Sequence, residues 1–148
     1  MTFETIEDAF HFVSSAAYGE HVAVVSRTTG QAYFASVMAD LDELPDDVDE
    51  SDDYIGIPHK NDLDLGKPLV MEFVRRRCPE EIDCVHAIMK RRGAYGRYKE
   101  LLAEKKLLEA WYAFENERTK EALLEWCKEN GWSFNTVLFR IEAQKENP

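Results

Sequence analysis

The sequence is poor in the residues that disulfides and metal sites require. Only three cysteines occur in 148 residues, Cys78, Cys84 and Cys127. An odd number of cysteines fits a reducing compartment better than a disulfide framework, so we expect buried free thiols and a cytoplasmic protein. Cys78 and Cys84 are further apart than the first two ligands of a typical zinc site, and a fourth ligand is not apparent. We therefore expect no metal.

Long apolar runs are also missing. No stretch approaches the ~18–20 consecutive apolar residues that cross a bilayer. The first eighteen residues contain no lysine or arginine, whereas a secretory signal begins with basic residues. These absences predict neither membrane insertion nor export. The 45% hydrophobic and 32% charged content is typical of a globular domain, and a chain of 148 residues suits one domain with its own core.

No catalytic or cofactor motif stands out. Gly93 and Gly96 match neither the phosphate loop of nucleotide hydrolases nor a dinucleotide fingerprint. Pairs such as Cys84 with His86, or Cys127 with His59, are expected by chance among three cysteines and four histidines. We predict no catalytic residue, no cofactor and a protein that is not an enzyme; an enzyme of unrecognised type is an alternative.

Positive charge is scarce and unevenly placed. The net charge is −11, and residues 1–74 hold three basic and sixteen acidic residues. Residues 75–106 reverse this balance, with ten basic and five acidic residues. Residues 40–53 hold nine acidic residues and no basic one. They lack the glycine and glutamate spacing of a calcium loop, so we interpret them as a solvated loop or short helix that offers a docking surface to a basic partner.

Hydrophobic periodicity and turn residues predict an α+β fold, with a small antiparallel β-sheet in the N-terminal half and a mainly helical C-terminal half. The predicted strands are 21–26, 31–37 and 54–58. The predicted helices are 3–17 (capped by Thr2), 67–77, one that begins at Pro79, 95–104 and 107–130. Residues 131–148 form a tail in which 132–141 fit a strand with a bulge, or alternatively a short helix.

The candidate binding residues are Arg91, Arg92, Arg97 and Lys99. Two interpretations of this segment are open. Its cations can contact an acidic protein partner or an anionic ligand, or they can pair with Glu115 and Glu117 on the following helix. Tyr95 and Tyr98 can stack on nucleic-acid bases, but their helical spacing is more typical of a core, and the −11 charge opposes nucleic acid. We therefore predict a non-enzymatic interaction protein that binds a protein partner, with nucleic-acid or anionic-ligand binding as the alternative.

Three blocks carry a family resemblance. Residues 92–99 read Arg-Gly-Ala-Tyr-Gly-Arg-Tyr-Lys, residues 111–114 read Trp-Tyr-Ala-Phe, and residues 122–131 include Glu-Trp before Asn-Gly. These blocks resemble uncharacterised protein family 0158, a bacterial family of unknown function. Tyrosines stand at 95 and 98 where the family pattern favours phenylalanine. The resemblance implies a shared fold over most of the chain and brings no activity, cofactor or partner with it.

We expect Trp111 and Trp126 to anchor the long C-terminal helix in the core. On that prediction, Trp111→Ala should lower the free energy of unfolding by roughly 3–5 kcal/mol, because it removes a large buried aromatic side chain and leaves a cavity. Thermal or urea denaturation measures the loss. A midpoint that barely changes would show that Trp111 lies on the surface, where it would be better explained as a binding residue.

Overall fold

A computed structural model describes residues 2–132 of the chain. Its N-terminal half holds one helix and a four-stranded antiparallel sheet, and its C-terminal half is helical, which confirms the α+β prediction. The strands are β1 (His21–Ser26), β2 (Ala32–Ser36), β3 (Leu41–Asp42) and β4 (Tyr54–Gly56). The helices are α1 (Phe3–Ser14), α2 (Lys67–Arg77), α3 (Ile82–Ile88), α4 (Ala94–Glu104) and α5 (Leu108–Glu129), with 3₁₀ turns at Lys60–Leu63 and Pro79–Glu81.

The sheet has the strand order β3-β2-β1-β4. In the β1–β2 hairpin Ala23 lies opposite Phe34, and Val25 lies opposite Ala32. Helix α1 packs on the face that these side chains share: Phe12 meets Phe34 edge-on, with ring centroids 5.1 Å apart. Since side chains alternate across a strand, the intervening residues of β1 and β2 point to the other face of the sheet.

The helical half is built around Trp111, which is fully buried as predicted. Its ring meets Phe73 of α2 and Tyr98 of α4 edge-on, with centroids 5.4 and 5.1 Å away. Edge-to-face contacts of this kind add about 0.5–1.5 kcal/mol each beyond the area that they bury. Trp126 is only half-buried and packs at 5.8 Å against Trp132, so it lies nearer the surface than we expected.

Arg27 connects the two halves of the chain. Its Nη1 donates a hydrogen bond of 2.7 Å to the carbonyl oxygen of Asn130, and its guanidinium lies 5.8 Å from the ring centroid of Trp132. Gly131 adopts a positive φ of 84°, which ends α5 and turns the chain toward this contact. The β1–β2 turn is thereby attached to the C-terminal end of the longest helix.

Several local predictions need correction. Helix α1 ends at Ser14 rather than at residue 17. Thr2 is the N-cap residue, but its hydroxyl accepts no hydrogen bond from a backbone amide of the first turn and instead lies 3.4 Å from the Thr5 hydroxyl. Pro79 begins a 3₁₀ turn that leads into α3. Residues 41–42, which we interpreted as part of a loop or helix, pair with β2 as a short edge strand. The predicted strand or helix over 132–141 falls almost entirely outside the described residues.

The Trp111 cluster contains two buried polar atoms without a hydrogen-bond partner among residues 2–132, Tyr98 Oη and Trp111 Nε1. Burial also raises the pKa of Tyr98, so this hydroxyl stays protonated. An unsatisfied buried hydroxyl costs roughly 1–3 kcal/mol. We therefore expect Tyr98→Phe to raise the free energy of unfolding by about 1 kcal/mol in urea denaturation. A loss of stability would show that the hydroxyl has a partner in solution.

Candidate functional site

The predicted binding segment forms the turn between α3 and α4. The amide of Arg91 donates to the carbonyl oxygen of Ile88 at 3.1 Å and closes the end of α3. Gly93 then adopts a left-handed φ of 71°, which residues other than glycine rarely adopt. The amide of Arg97 donates back to the Gly93 carbonyl oxygen at 3.2 Å and starts α4. The turn therefore brings Arg91, Arg92 and Arg97 to the same end of the two helices.

These three arginines, which we call the basic turn, are exposed to solvent. Among the residues that the structure describes, no carboxylate lies within 4.0 Å of their guanidinium groups. The anticipated pairing with Glu115 or Glu117 is therefore not observed. The arginine of α5, Arg118, pairs instead with Glu72 of α2 at 3.0 Å.

Lys99 differs from the other predicted binding residues. Its side chain is half-buried against α5, where Nζ lies 5.5 Å from the ring centroid of Tyr112. A cation–π contact of this kind stabilises a partly exposed site by about 0.5–1 kcal/mol. Lys99 therefore contributes to the packing of α4 on α5, and the accessible part of the predicted site narrows to the basic turn.

The two tyrosines of this segment are structural. Tyr98 is fully buried against Trp111, and Tyr95 is half-buried beneath Lys60, whose Nζ lies 4.4 Å from its ring centroid. Burial raises the pKa of Tyr95. Tyr98 therefore offers no ring face to a base, and Lys60 covers one face of the Tyr95 ring.

The geometry of the segment can now be set beside known proteins. The profile of uncharacterised protein family UPF0158 matches residues 9–142. The chain belongs to this family. The match spans the second half of α1, the sheet and all the later helices, and it includes the three blocks of residues that carried the resemblance. No curated protein and no solved structure matches the chain at a significant level.

In this UPF0158 member, part of the acidic stretch has a structural role. Asp53 accepts hydrogen bonds from the hydroxyls of Ser26 and Thr28 and, at 2.9 Å, from the amide of Thr28. These bonds, the one from Ser26 above all, lower the pKa of Asp53. Its carbonyl oxygen also accepts from the amide of Arg27 at 2.7 Å. Asp53 thus holds the β1–β2 turn in place and is not free to bind a partner.

The cysteines and histidines form no cluster of three or more metal-ligating groups within residues 2–132. Cys78 and Cys127 are buried, and burial raises the pKa of both thiols, that of Cys127 to about 11. Cys84 and His86 are exposed, although we expected the thiol of Cys84 to be buried. They lie two positions apart on α3, so their side chains do not face each other.

His59 has no role in a cysteine–histidine pair. It is buried, its Nδ1 accepts a hydrogen bond from the amide of Asn61 at 3.1 Å, and its Nε2 donates to the carbonyl oxygen of Ala16 at 3.0 Å. Both ring nitrogens therefore hold the 3₁₀ turn against the end of α1.

No helix among residues 2–132 is long and apolar enough to cross a bilayer.

Sequence reasoning missed a groove of about 360 Å³ beside β2 and β3. Val37 lies on its wall, and its neighbour Met38 is also strongly exposed. The adjacent apolar pair Val37-Met38, placed directly before the acidic stretch, was the available signal. The strand prediction ended at Val37 and assigned no role to Met38, because exposure cannot be seen in the local pattern.

Asp53→Asn should destabilise the protein at neutral pH, because the amide replaces a carboxylate that accepts three hydrogen bonds. The pKa of Asp53 is lower in the folded protein than in the unfolded chain. Its carboxylate therefore contributes stability that is fully present above pH ~4 and is lost as the pH falls through the folded pKa. Urea denaturation across this pH range should show that the free energy of unfolding falls less steeply with decreasing pH for Asp53→Asn than for the wild type.

The exposed neighbour Asp52 provides the control for this change. Asp52→Asn should leave the stability and its pH dependence close to those of the wild type. If the Asp53→Asn and wild-type profiles run parallel across the acid range, the carboxylate of Asp53 makes no contribution to the turn that depends on its charge.

Proposed function

We propose that the protein is a non-enzymatic interaction protein that binds an acidic surface of a protein partner through the basic turn. The observation that carries this proposal is the exposure of Arg91, Arg92 and Arg97, with no carboxylate paired to them in the described part of the chain. A guanidinium presents its donors in a planar fork that matches a carboxylate with two parallel hydrogen bonds. Three such groups on one turn suit a cluster of aspartates or glutamates.

The packing of α4 beneath the basic turn favours binding. Tyr98 anchors α4 to Trp111, and Arg97 follows Gly93 by one turn of that helix. A backbone held in this way loses little conformational freedom when a partner docks, so less of the interaction energy is lost to ordering. The arginine side chains alone have to be immobilised.

The charge distribution favours a protein over a nucleic acid. The chain carries −11 overall, which repels phosphate backbones at long range. Both tyrosines of the segment are engaged in packing, so base stacking lacks an aromatic platform there. A protein partner can instead offer an acidic patch to the basic turn and basic residues to the acidic half, since complementary fields select partners and speed their encounter.

The three free thiols support a reducing compartment, and we place this interaction in the cytoplasm.

Charge reversal of the basic turn tests the proposal. The full chain and the variant R91E/R92E/R97E are immobilised, exposed to a bacterial lysate at low salt, and the proteins that each retains are identified. We expect the wild type to retain a stoichiometric acidic protein that the variant loses. The affinity of that purified protein should fall by at least about tenfold, the change that corresponds to roughly 1.4 kcal/mol.

A matched variant separates a local contact from the change of net charge. K67E/K106E/K120E reverses three exposed lysines outside the turn, and none of them has an ion-pair partner among residues 2–132. It should retain the partner as the wild type does. Equal loss in both variants, or no stoichiometric partner at all, contradicts the proposal. Single-stranded DNA or RNA that binds the wild type and not R91E/R92E/R97E in fluorescence anisotropy would establish the alternative.

A further inference from the structure

The sheet face that points away from α1 is mainly apolar. Strand alternation and the strand registers place on it the side chains of Val22, Val24, Tyr33, Ala35 and Tyr54, and Ser26 and Asp42 are its polar members. An antiparallel sheet with one face in water usually carries polar residues there. Val24 is buried, but none of these five residues belongs to the cluster of buried side chains that contains Ala23 and Val25. The second face is therefore mainly apolar in composition and lies outside that cluster.

One end of this face opens into the groove beside β2 and β3. Val22 and Ala35 pair across β1 and β2 on its floor, and Asp42, which pairs with Ala35 from the edge strand β3, continues this row to the rim. Val37, Leu41 and Leu44 complete the apolar lining, and Met38 adjoins it. We call this site the β2–β3 groove. The exposed fractions of Val37 and Met38 are 90% and 79%. Grouped apolar side chains that remain this exposed mark interaction surfaces.

The rim of the β2–β3 groove is acidic. Glu20, Asp40 and Asp42 line it, and no lysine or arginine occurs in the sequence between Arg27 and Lys60. None of the three carboxylates forms an ion pair within the described part of the chain. Asp42 accepts a hydrogen bond from the amide of Leu44 at 3.2 Å, which holds the lip of the groove. The site combines an apolar floor with unneutralised negative charge.

The backbone beside the groove also has a free side. Strand β3 is last in the strand order and pairs with β2 alone among the described strands. An extended peptide can add to such an edge through main-chain hydrogen bonds, while its alternate side chains enter pockets along the strand. A segment that alternates apolar and basic residues would place the former in the groove and the latter along the acidic rim.

We propose that the β2–β3 groove binds an extended basic segment of another protein, in which apolar residues alternate with lysine or arginine. The charge of the rim selects this occupant. A second copy of the chain would bring two acidic rims together, and like charges placed face to face oppose association. The groove shares no residue with the basic turn, so this site goes beyond the proposed function and can be tested separately from it.

Fluorescence anisotropy with the full chain and a labelled peptide of alternating lysine and valine tests the proposal. The wild type should bind this peptide at low salt, more weakly as salt is added, and should not bind a matched glutamate–valine peptide. V37S/M38S removes the exposed apolar side chains and should weaken binding by at least about tenfold. E20Q/D40N/D42N should weaken it comparably and flatten its salt dependence.

Two controls accompany these variants. E104Q/E117Q/E125Q removes the same amount of charge at exposed positions on α4 and α5. At ~0.15 M salt its affinity should stay within about twofold of the wild type, because charges beyond a Debye length of about 8 Å are largely screened. R91E/R92E/R97E should bind the peptide normally, which separates failure of the groove from failure of the basic turn. Unchanged thermal midpoints will show that the groove variants remain folded.

A photo-cross-linking benzoylphenylalanine in place of Val37 identifies the occupant directly. A cross-link to the lysine–valine peptide supports the proposal. Cross-links to a second copy of the chain, or to residues 133–148 of the same chain, overturn it. The proposal is also overturned if the lysine–valine peptide does not bind, if the glutamate–valine peptide binds with equal affinity, or if V37S/M38S retains full affinity.

Discussion

The contact of Trp111 with Phe73 and Tyr98 organises the helical half of the protein. These three aromatic side chains come from α5, α2 and α4, so one cluster fixes the relative positions of three helices. Its polar atoms bring a cost, since the Tyr98 hydroxyl and the Trp111 indole N–H have no partner among residues 2–132. The stability of the cluster therefore comes from apolar burial and ring geometry, and phenylalanine at position 98 would serve this purpose without the unsatisfied hydroxyl.

The surface features follow from this core. Because Tyr98 is held against Trp111, the start of α4 is fixed, and Gly93 and the arginines around it form a defined turn. Lys99 lies on the side of α4 that meets α5 and so contacts Tyr112, which separates it from the basic turn. At the opposite end of α5, Arg27 binds the carbonyl oxygen of Asn130 and attaches the hairpin to the helices. Asp53 also stabilises the β1–β2 turn of this hairpin, so the last residue of the acidic stretch has a structural role.

Two surfaces of opposite charge result. The basic turn offers exposed guanidinium groups on helical support, whereas the β2–β3 groove combines apolar side chains with an acidic rim. Membership of UPF0158 covers both surfaces and assigns no activity to either. We propose a protein partner for each surface, because opposite charges on separate surfaces select complementary surfaces on other molecules.

The sequence by itself determined the α+β class, the helix over 67–77, the long C-terminal helix, the β-hairpin and the burial of Trp111, because helical period, strand alternation and turn glycines act over a few neighbouring residues. It also contained enough of the family pattern to identify UPF0158. Only the tertiary structure decided that Arg91, Arg92 and Arg97 have no carboxylate partner among residues 2–132 while Lys99 packs on Tyr112. It also decided that Cys84 is exposed and that Val37 and Met38 border a groove. Arg27 and Asn130 stand 103 positions apart, and no local pattern reports such a contact. Exposure and pairing depend on which distant residues the fold brings together, and the three-dimensional packing of the whole chain sets them.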